Sequence, residues 1–228
     1  MISPQVAGKE LVTGMKLSLE EFLSRWEAIP ELKKAELING VVYVPSPVSI
    51  EHDHRDVKIH GWLDRFAEET PGCDCGSNGT WKMLGQSPQP DCYLRILESH
   101  GGTSPDETQY HEGAPDLAIE ICVSSSKLEF GPKLALYQRA GVQEYMTIES
   151  DSKRIVWRAL ANGSYQAIEP DAAGILRSSC FPGLWLDTVA YWAGDRKQMT
   201  RTLRTGLATP EHSQFVEELA RRAAALKA

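Results

Sequence analysis

A short, almost continuous apolar run from Leu117 to Val123 constrains the fold of this chain more than any other feature. Runs of this length and composition are typical of a strand that is buried on both faces of a sheet. Glu120 lies in the middle of the run. Because a buried carboxylate loses its hydration, Glu120 needs a partner, which could be a metal ion, a lysine or a hydrogen-bond donor.

The segments around this run indicate a mixture of helices and strands. A capping box at 18–21 predicts a first helix that ends near Pro30, and Asn39-Gly40 between two apolar runs predicts a hairpin. Helical spacing predicts a second helix over 51–67 and a third that ends at Gly141. Strands are expected within 35–44, 81–84, 88–97, 142–148 and 154–168, and a loop is expected over 70–79. This order predicts an α/β (α+β-like) fold with a mixed central sheet flanked by helices.

The length of 228 residues fits one domain with an appendage. We predict a loosely held lead-in over 1–16, a main domain over 17–190 and a C-terminal helical extension over 191–228. The composition shifts after Gly206, and a helix over 214–227 could dock on the domain or on a second subunit.

Composition and charge exclude some classes of function. The net charge of −7 disfavours non-specific adhesion to nucleic acid, although it leaves room for a local basic groove. An N-terminus without a signal-peptide pattern, the lack of a membrane-length apolar stretch and an odd number of cysteines, five, predict a cytoplasmic protein with no membrane contact. Cys73-Asp-Cys75 lacks the spacing of a zinc site and is expected to be part of a loop.

Three residues suggest chemistry. Asp91 opens one predicted strand, Glu120 lies within the next, and Lys133 follows thirteen residues later on a helix. If the two strands are neighbours, both carboxylates can point to the same end of the sheet and hold Mg²⁺, which prefers oxygen ligands. The ordinary alternatives are that Asp91 only starts a strand and that Glu120 forms a structural ion pair with Lys133 or Lys127.

An ordered series of motifs runs through residues 18 to 190. It consists of Glu-Leu-Ile-Asn-Gly (36–40), Pro-Ser-Pro with a following Glu-His (45–52), Pro-Asp (90–91), Pro-Asp-Leu-Ala-Ile-Glu-Ile (115–121) and Lys-Leu-Ala-Leu-Tyr with Ala-Gly-Val-Gln-Glu-Tyr (133–145). The series resembles the Uma-type putative restriction endonuclease family of the PD-(D/E)XK nuclease superfamily. The resemblance implies a restriction-endonuclease-like core, DNA as the substrate, Mg²⁺ (or Mn²⁺) as the cofactor, and a homodimer.

By position, the resemblance makes Asp91 and Glu120 the metal-binding carboxylates. Cys122 stands two residues after Glu120, at the motif's lysine position, where the family often lacks a lysine. The resemblance implies that a lysine from the following helix takes that role, and Lys133 occupies its place. Glu36 and His52 match further recurrent positions of the site and complete the predicted catalytic set. Without the resemblance, Glu36 would be an exposed carboxylate at a sheet edge and His52 part of a solvated helix turn.

Two choices stay open at this point. Asp116 also follows a proline and shares a strand face with Glu120, so it is the alternative to Asp91 as the metal ligand. The function could be that of a metal-dependent DNA endonuclease, of a non-catalytic binding or scaffold protein with the same fold, or of a hydrolase acting on another substrate.

Overall fold

The computed structural model describes residues 10–45, 50–105, 108–122 and 129–227, and for 50–56 and 129–130 only the backbone. The strands, in chain order, are β1 (Glu36–Ile38), β2 (Val41–Tyr43), β3 (Cys73–Ser77), β4 (Trp81–Lys82), β5 (Cys92–Ile96), β6 (His111–Glu112), β7 (Leu117–Cys122), β8 (Glu144–Glu149), β9 (Arg154–Ala161), β10 (Ser164–Ile168), β11 (Ile175–Arg177) and β12 (Trp185–Asp187). The helices are α1 (Leu19–Glu27), α2 (Ile50–Glu68), α3 (Leu134–Ala140), α4 (Thr188–Ala193), α5 (Arg196–Leu207) and α6 (Pro210–Leu226). A 3₁₀ turn covers Glu98–His100, and a π-helical turn, Glu129–Lys133, leads into α3.

Six of these strands form a mixed central sheet in the order β10-β9-β8-β7-β5-β3. The β7–β8 pair is parallel, and the other neighbours are antiparallel. The apolar run of the sequence is β7, and all six of its residues are buried. The predicted fold class, a mixed sheet flanked by helices, is therefore confirmed.

The alternation of side chains along β7 divides the core into two sides. Leu117, Ile119 and Ile121 pack in a cluster with the apolar stripe of α2. Ala118 belongs to a second cluster, which contains Tyr137 of α3. Because alternate residues of a strand point to the same face, Glu120 faces the α3 side with Ala118.

Local signals predicted the first part of the chain well. The capping box at Ser18 and Glu21 is present, and Asn39 and Gly40 have φ of 52° and 72°, as both central residues of a type I′ hairpin turn require. The β1–β2 hairpin pairs Glu36 with Tyr43.

The prediction of a loop over 70–79 is wrong, because the centre of this segment forms β3 at the edge of the sheet. The segment Cys-Asp-Cys-Gly-Ser has no apolar alternation, and its order comes from pairing with β5. A side chain at Gly76 would collide with the Tyr93 ring across the pair, so this strand depends on a close approach that only glycine allows.

The C-terminal helices pack on the main core. Met199 and Leu203 of α5 and Leu219 of α6 join the same cluster as the apolar stripe of α2. His212 of α6 lies 3.0 Å from the Thr70 hydroxyl, measured from Nε2 to Oγ1. The last helix was expected to dock either on the domain or on a second subunit, and in the structure α6 packs on the domain. None of the described helices is long and apolar enough to cross a membrane.

Candidate functional site

Glu120 has both a cation and a neutral donor as partners. Lys133 Nζ and the Tyr137 hydroxyl each donate to Glu120 Oε1 at 2.9 Å. Lys133 caps α3 and Tyr137 follows four residues later, so both side chains lie on one face of that helix. Glu120 and Lys133 are each only 2% exposed, which makes the pair an almost fully dehydrated ion pair.

Lys133 also connects Glu120 to the hairpin. Its ammonium lies 2.8 Å from Glu36 Oε1, and the same oxygen accepts a hydrogen bond of 2.6 Å from the Gln89 backbone N–H. The expectation of an exposed edge carboxylate at Glu36 is wrong, since the residue is 5% exposed. The reason is a contact distant in sequence, in which Leu37 pairs with Ser87 and so covers the hairpin.

Asp91 lies immediately before β5 and is also buried. Lys34 Nζ donates to its Oδ1 at 2.9 Å, and the Ile121 backbone N–H donates to its Oδ2 at 2.8 Å. Cys92 pairs with Ile119 in the antiparallel β5–β7 register, so one further step places Asp91 opposite Glu120. Directly opposed residues of antiparallel strands project from the same face.

Sequence reasoning missed Lys34 as a member of this network. Burial lowers the pKa of its ammonium, but the carboxylates of Asp91, Glu36 and Glu120 outweigh that effect and raise the pKa above its usual value. Lys34 therefore stays charged. Lys34 precedes Glu36 by two residues. Side chains two residues apart in an extended chain lie on the same face, so this spacing could have indicated that Lys34 belongs to the network.

Tyr137 was assigned no role beside Glu120 from the sequence. Burial and the nearby Glu120 charge raise its pKa well above the usual value, so it remains a neutral phenol and a hydrogen-bond donor. Its spacing of four residues from Lys133 is the sequence signal that could have indicated its place beside Glu120.

The other predicted residues lie elsewhere or outside the described set. The side chain of His52 and all of Lys127 are outside the described residues. Asp116, the alternative to Asp91, is about 13 Å from Glu120 along the strand, and its Oδ2 accepts a hydrogen bond from the Ile96 backbone N–H at 2.8 Å. The structure therefore brings Glu36, Asp91, Glu120 and Lys133 together, and it keeps Asp116 apart from them.

The network contains three carboxylates and two ammonium groups, all partly or fully buried. Within the described part of the chain, no three Asp, Glu, His or Cys side chains converge as a ready-made metal cage. Mg²⁺ does not require one, because it is commonly held by one or two carboxylates and several waters. The hard oxygen donors of Asp91 and Glu120 fit such an ion, and the buried lysines show that this position already attracts cations.

Comparisons with known proteins fit this arrangement. A profile of the Uma2 family, described as "Putative restriction endonuclease", matches residues 19–189, which is well over half of the chain. The chain belongs to the Uma2 family. The resemblance expected from the motifs is thus confirmed, and the matched region includes all five charged side chains of the network.

A solved structure supports the fold of this Uma2 member. It is a protein from Anabaena variabilis titled a "putative nuclease", with a TM-score of 0.60 and 18% sequence identity. The similarity covers 78% of this chain and 98% of that one. At this identity the likeness shows the shared fold alone. No curated protein matches the chain.

Proposed function

We propose that this Uma2-family protein is an endonuclease that uses Mg²⁺ or Mn²⁺ to hydrolyse phosphodiester bonds in DNA. The observation that carries the proposal is the convergence of Asp91 and Glu120 on one sheet face, next to a buried lysine. The family description supports DNA as the substrate, since restriction endonucleases cut DNA.

Asp91 and Glu120 would hold the metal ion. When bound, the ion supplies Lewis-acid chemistry, which polarises a phosphate and lowers the pKa of an attacking water. Lys133 supplies a fixed positive charge beside the carboxylates, where negative charge on the phosphate increases in the transition state. Glu36 acts as a positioning residue, because it holds the Lys133 ammonium at 2.8 Å.

Lys133 can also supply the positive charge that is missing at Cys122. Cys122 is buried, and a thiol cannot carry the positive charge of the usual motif lysine. Lys133 approaches Glu120 from α3 instead, with its ammonium 2.9 Å from the carboxylate. The proposed activity therefore depends on the lysine of the helix rather than on one in the strand.

A plasmid-nicking assay with a matched pair of variants tests the proposal. Asp91 lies directly before β5 and forms an ion pair with Lys34. Asp74 lies in β3 and forms an ion pair with Arg95. We expect Asp91→Asn to abolish nicking that depends on Mg²⁺ or Mn²⁺, and Asp74→Asn to retain it. Nicking that persists in EDTA, or that is equal in both variants, would contradict the proposal.

A second candidate function, a non-catalytic binding or scaffold protein, is favoured by one observation. Lys34 and Lys133 form ion pairs with all three carboxylates and so neutralise two of the three negative charges, as a structural network would do. Titration calorimetry with Mn²⁺ separates the candidates. Binding that is lost in Glu120→Gln supports the nuclease, and no binding to the folded wild-type chain supports the scaffold.

The homodimer and the cytoplasmic location remain proposals for this protein. Sedimentation of the purified chain tests the first, and fractionation of cells that express it tests the second. A monomer at all concentrations would exclude the homodimer.

A further inference from the structure

The side of the sheet opposite Glu120 carries a groove between α2 and α5. The groove contains a cavity of about 90 Å³, which is lined by Lys58, Trp62 and Arg65 of α2 and by Arg196, Met199 and Leu203 of α5, among others. Trp62, Met199 and Leu203 are buried and form an apolar floor, whereas Arg65 and Arg196 are exposed at the rim. Two arginines therefore lie at the rim of a small cavity with an apolar floor.

The groove continues along α5 beyond this cavity. A second depression shares Arg65, Thr200 and Leu203 with the first and adds Arg204, together with Glu68 at the end of α2 and Glu69 directly after it. Arg196 and Arg204 are eight residues apart, which on a helix is about 12 Å. Four cations thus line the groove, and among the described residues its acidic lining consists of Glu68 and Glu69, near Arg204.

The charge of α5 differs sharply from that of the whole chain. The chain has a net charge of −7, yet all four charged residues of α5 (Arg196, Lys197, Arg201 and Arg204) are basic. In the described part of the chain, Lys58, Arg65, Arg196 and Arg204 form no ion pair with a carboxylate. Four cations that form no ion pair with a described carboxylate and outnumber the two glutamates of the groove favour an anionic ligand.

We propose that the groove between α2 and α5 binds backbone phosphates of DNA, as a contact separate from the carboxylate network. This assignment of the groove rests on the proposed nuclease function, which supplies the partner. A length of about 12 Å matches roughly three phosphates of one DNA strand. Arginine and lysine side chains, which line the groove, are donor types that commonly contact phosphate oxygens. An apolar floor lowers the local dielectric and strengthens these charge interactions.

The test measures DNA binding without cleavage. Fluorescence anisotropy of a labelled duplex in EDTA compares the wild-type chain with the double variant Arg65→Gln/Arg196→Gln. The control is Lys197→Gln/Arg201→Gln, which also removes two positive charges. Both of these residues are exposed on α5 and do not line the groove, whereas the groove variant changes one residue of α2 and one of α5. We expect the groove variant to bind on the order of tenfold more weakly, and its log Kd to depend on log salt with a slope smaller by about 2.

Each other outcome overturns the proposal. Equal weakening by both double variants would show a general effect of charge, and unchanged binding by the groove variant would exclude phosphate contacts there. Binding to phosphatidylserine vesicles in preference to the duplex would assign the groove to a membrane surface. Loss of a dimer in the groove variant, with unchanged DNA affinity, would assign it to a second copy of the chain.

The design separates this proposal from the proposed function. If no form of the protein nicks plasmid but the groove variant alone loses DNA affinity, the nuclease proposal fails and the groove stands. If the wild-type chain nicks plasmid and the groove variant binds normally, the groove fails and the nuclease stands. When both hold, the groove variant should raise KM for DNA and leave kcat unchanged, because the groove lies away from the carboxylates.

Discussion

Glu120 and Glu144 are buried glutamates on the neighbouring strands β7 and β8, but they lie on opposite faces of the sheet. Glu144 pairs in register with Leu117, whose side chain packs on the α2 side, whereas Glu120 faces α3. Both carboxylates are almost completely removed from water. They differ in how their charge is compensated.

Glu144 is surrounded by fixed dipoles. It accepts five hydrogen bonds of 2.7–3.0 Å, from Trp157 Nε1, Ser178 Oγ, Ser179 N and Oγ, and Cys180 N. These donors come from β9 and from the segment that precedes β12, so Glu144 ties distant parts of the chain together. These donors are neutral and fixed by the fold, so a metal ion cannot take their place as it could take the place of a cationic side chain. Glu144 is therefore interpreted as a structural carboxylate.

Glu120 is compensated by a lysine ammonium and a phenol instead. A long lysine side chain can change its rotamer, and its charge can be replaced or supplemented by a metal ion. The two glutamates are similarly buried and differ in the kind of partner that compensates their charge. If Glu120 is functional as proposed, its partners rather than its burial distinguish it from Glu144, and the following predictions test this distinction from the largest expected effect to the smallest.

The largest expected effect is the loss of activity in Glu120→Gln. An amide keeps the shape of the side chain but binds a divalent cation poorly, and losing metal assistance of several kcal/mol corresponds to about a 10³-fold slower reaction. Plasmid nicking in the presence of Mn²⁺ measures the rate, and circular dichroism confirms the fold. In contrast, Glu144→Gln should nick at the wild-type rate at temperatures where it remains folded. Equal rates for wild type and Glu120→Gln would remove Glu120 from the site.

The next effect concerns stability and its rescue by metal. Lys133→Met leaves Glu36 and Glu120 close together without their shared cation, and breaking a buried ion pair typically costs about 3–5 kcal/mol. We expect a lower Tm in EDTA that Mn²⁺ partly restores, because an ion that binds only the folded state stabilises it. A Tm loss that Mn²⁺ leaves unchanged would show that the position does not accept a divalent ion.

Glu144→Gln should destabilise the protein by about 2 kcal/mol, because the new amide N–H₂ faces donors and leaves one or more of them without an acceptor. For a chain of this size that corresponds to a Tm lower by roughly 4–8 °C, measured by thermal unfolding. Mn²⁺ should give no rescue here. A rescue equal to that of Lys133→Met would end the distinction between the two glutamates.

The sequence alone indicated a buried Glu120 with Lys133 among its possible partners, and the structure contains that ion pair. An apolar run with one carboxylate required a compensating partner, and Lys133 was among the alternatives because it begins the next helix. The family resemblance then ranked Asp91 above Asp116, and the β5–β7 register agrees with that order. Local patterns and ordered motifs were sufficient for these residues.

Contacts between distant segments could not be predicted in the same way. Glu36 looked exposed because nothing in its strand indicates that Ser87 and Gln89 cover it. The strand β3 has no apolar alternation, and its order comes from its partner β5. Glu144 gave no signal either, since its donors lie more than ten residues away along the chain.

The smallest predicted effect distinguishes the contribution of Tyr137 to Glu120 from that of Lys133. Tyr137→Phe removes one hydrogen bond to the carboxylate and should cost about 1–2 kcal/mol at neutral pH, with Lys133 still in place. The pKa of Tyr137 is raised in the folded protein above its usual value of 10.0, so the wild-type protein holds this proton more tightly when folded. Its contribution is complete below about pH 10 and is lost as the pH rises through the folded pKa. Denaturant unfolding at several pH values should therefore show that the deficit of Tyr137→Phe shrinks above about pH 10, where the wild-type protein alone loses this contribution. A deficit that stays constant across that range would mean that Tyr137 fills space beside Glu120 without sharing its charge.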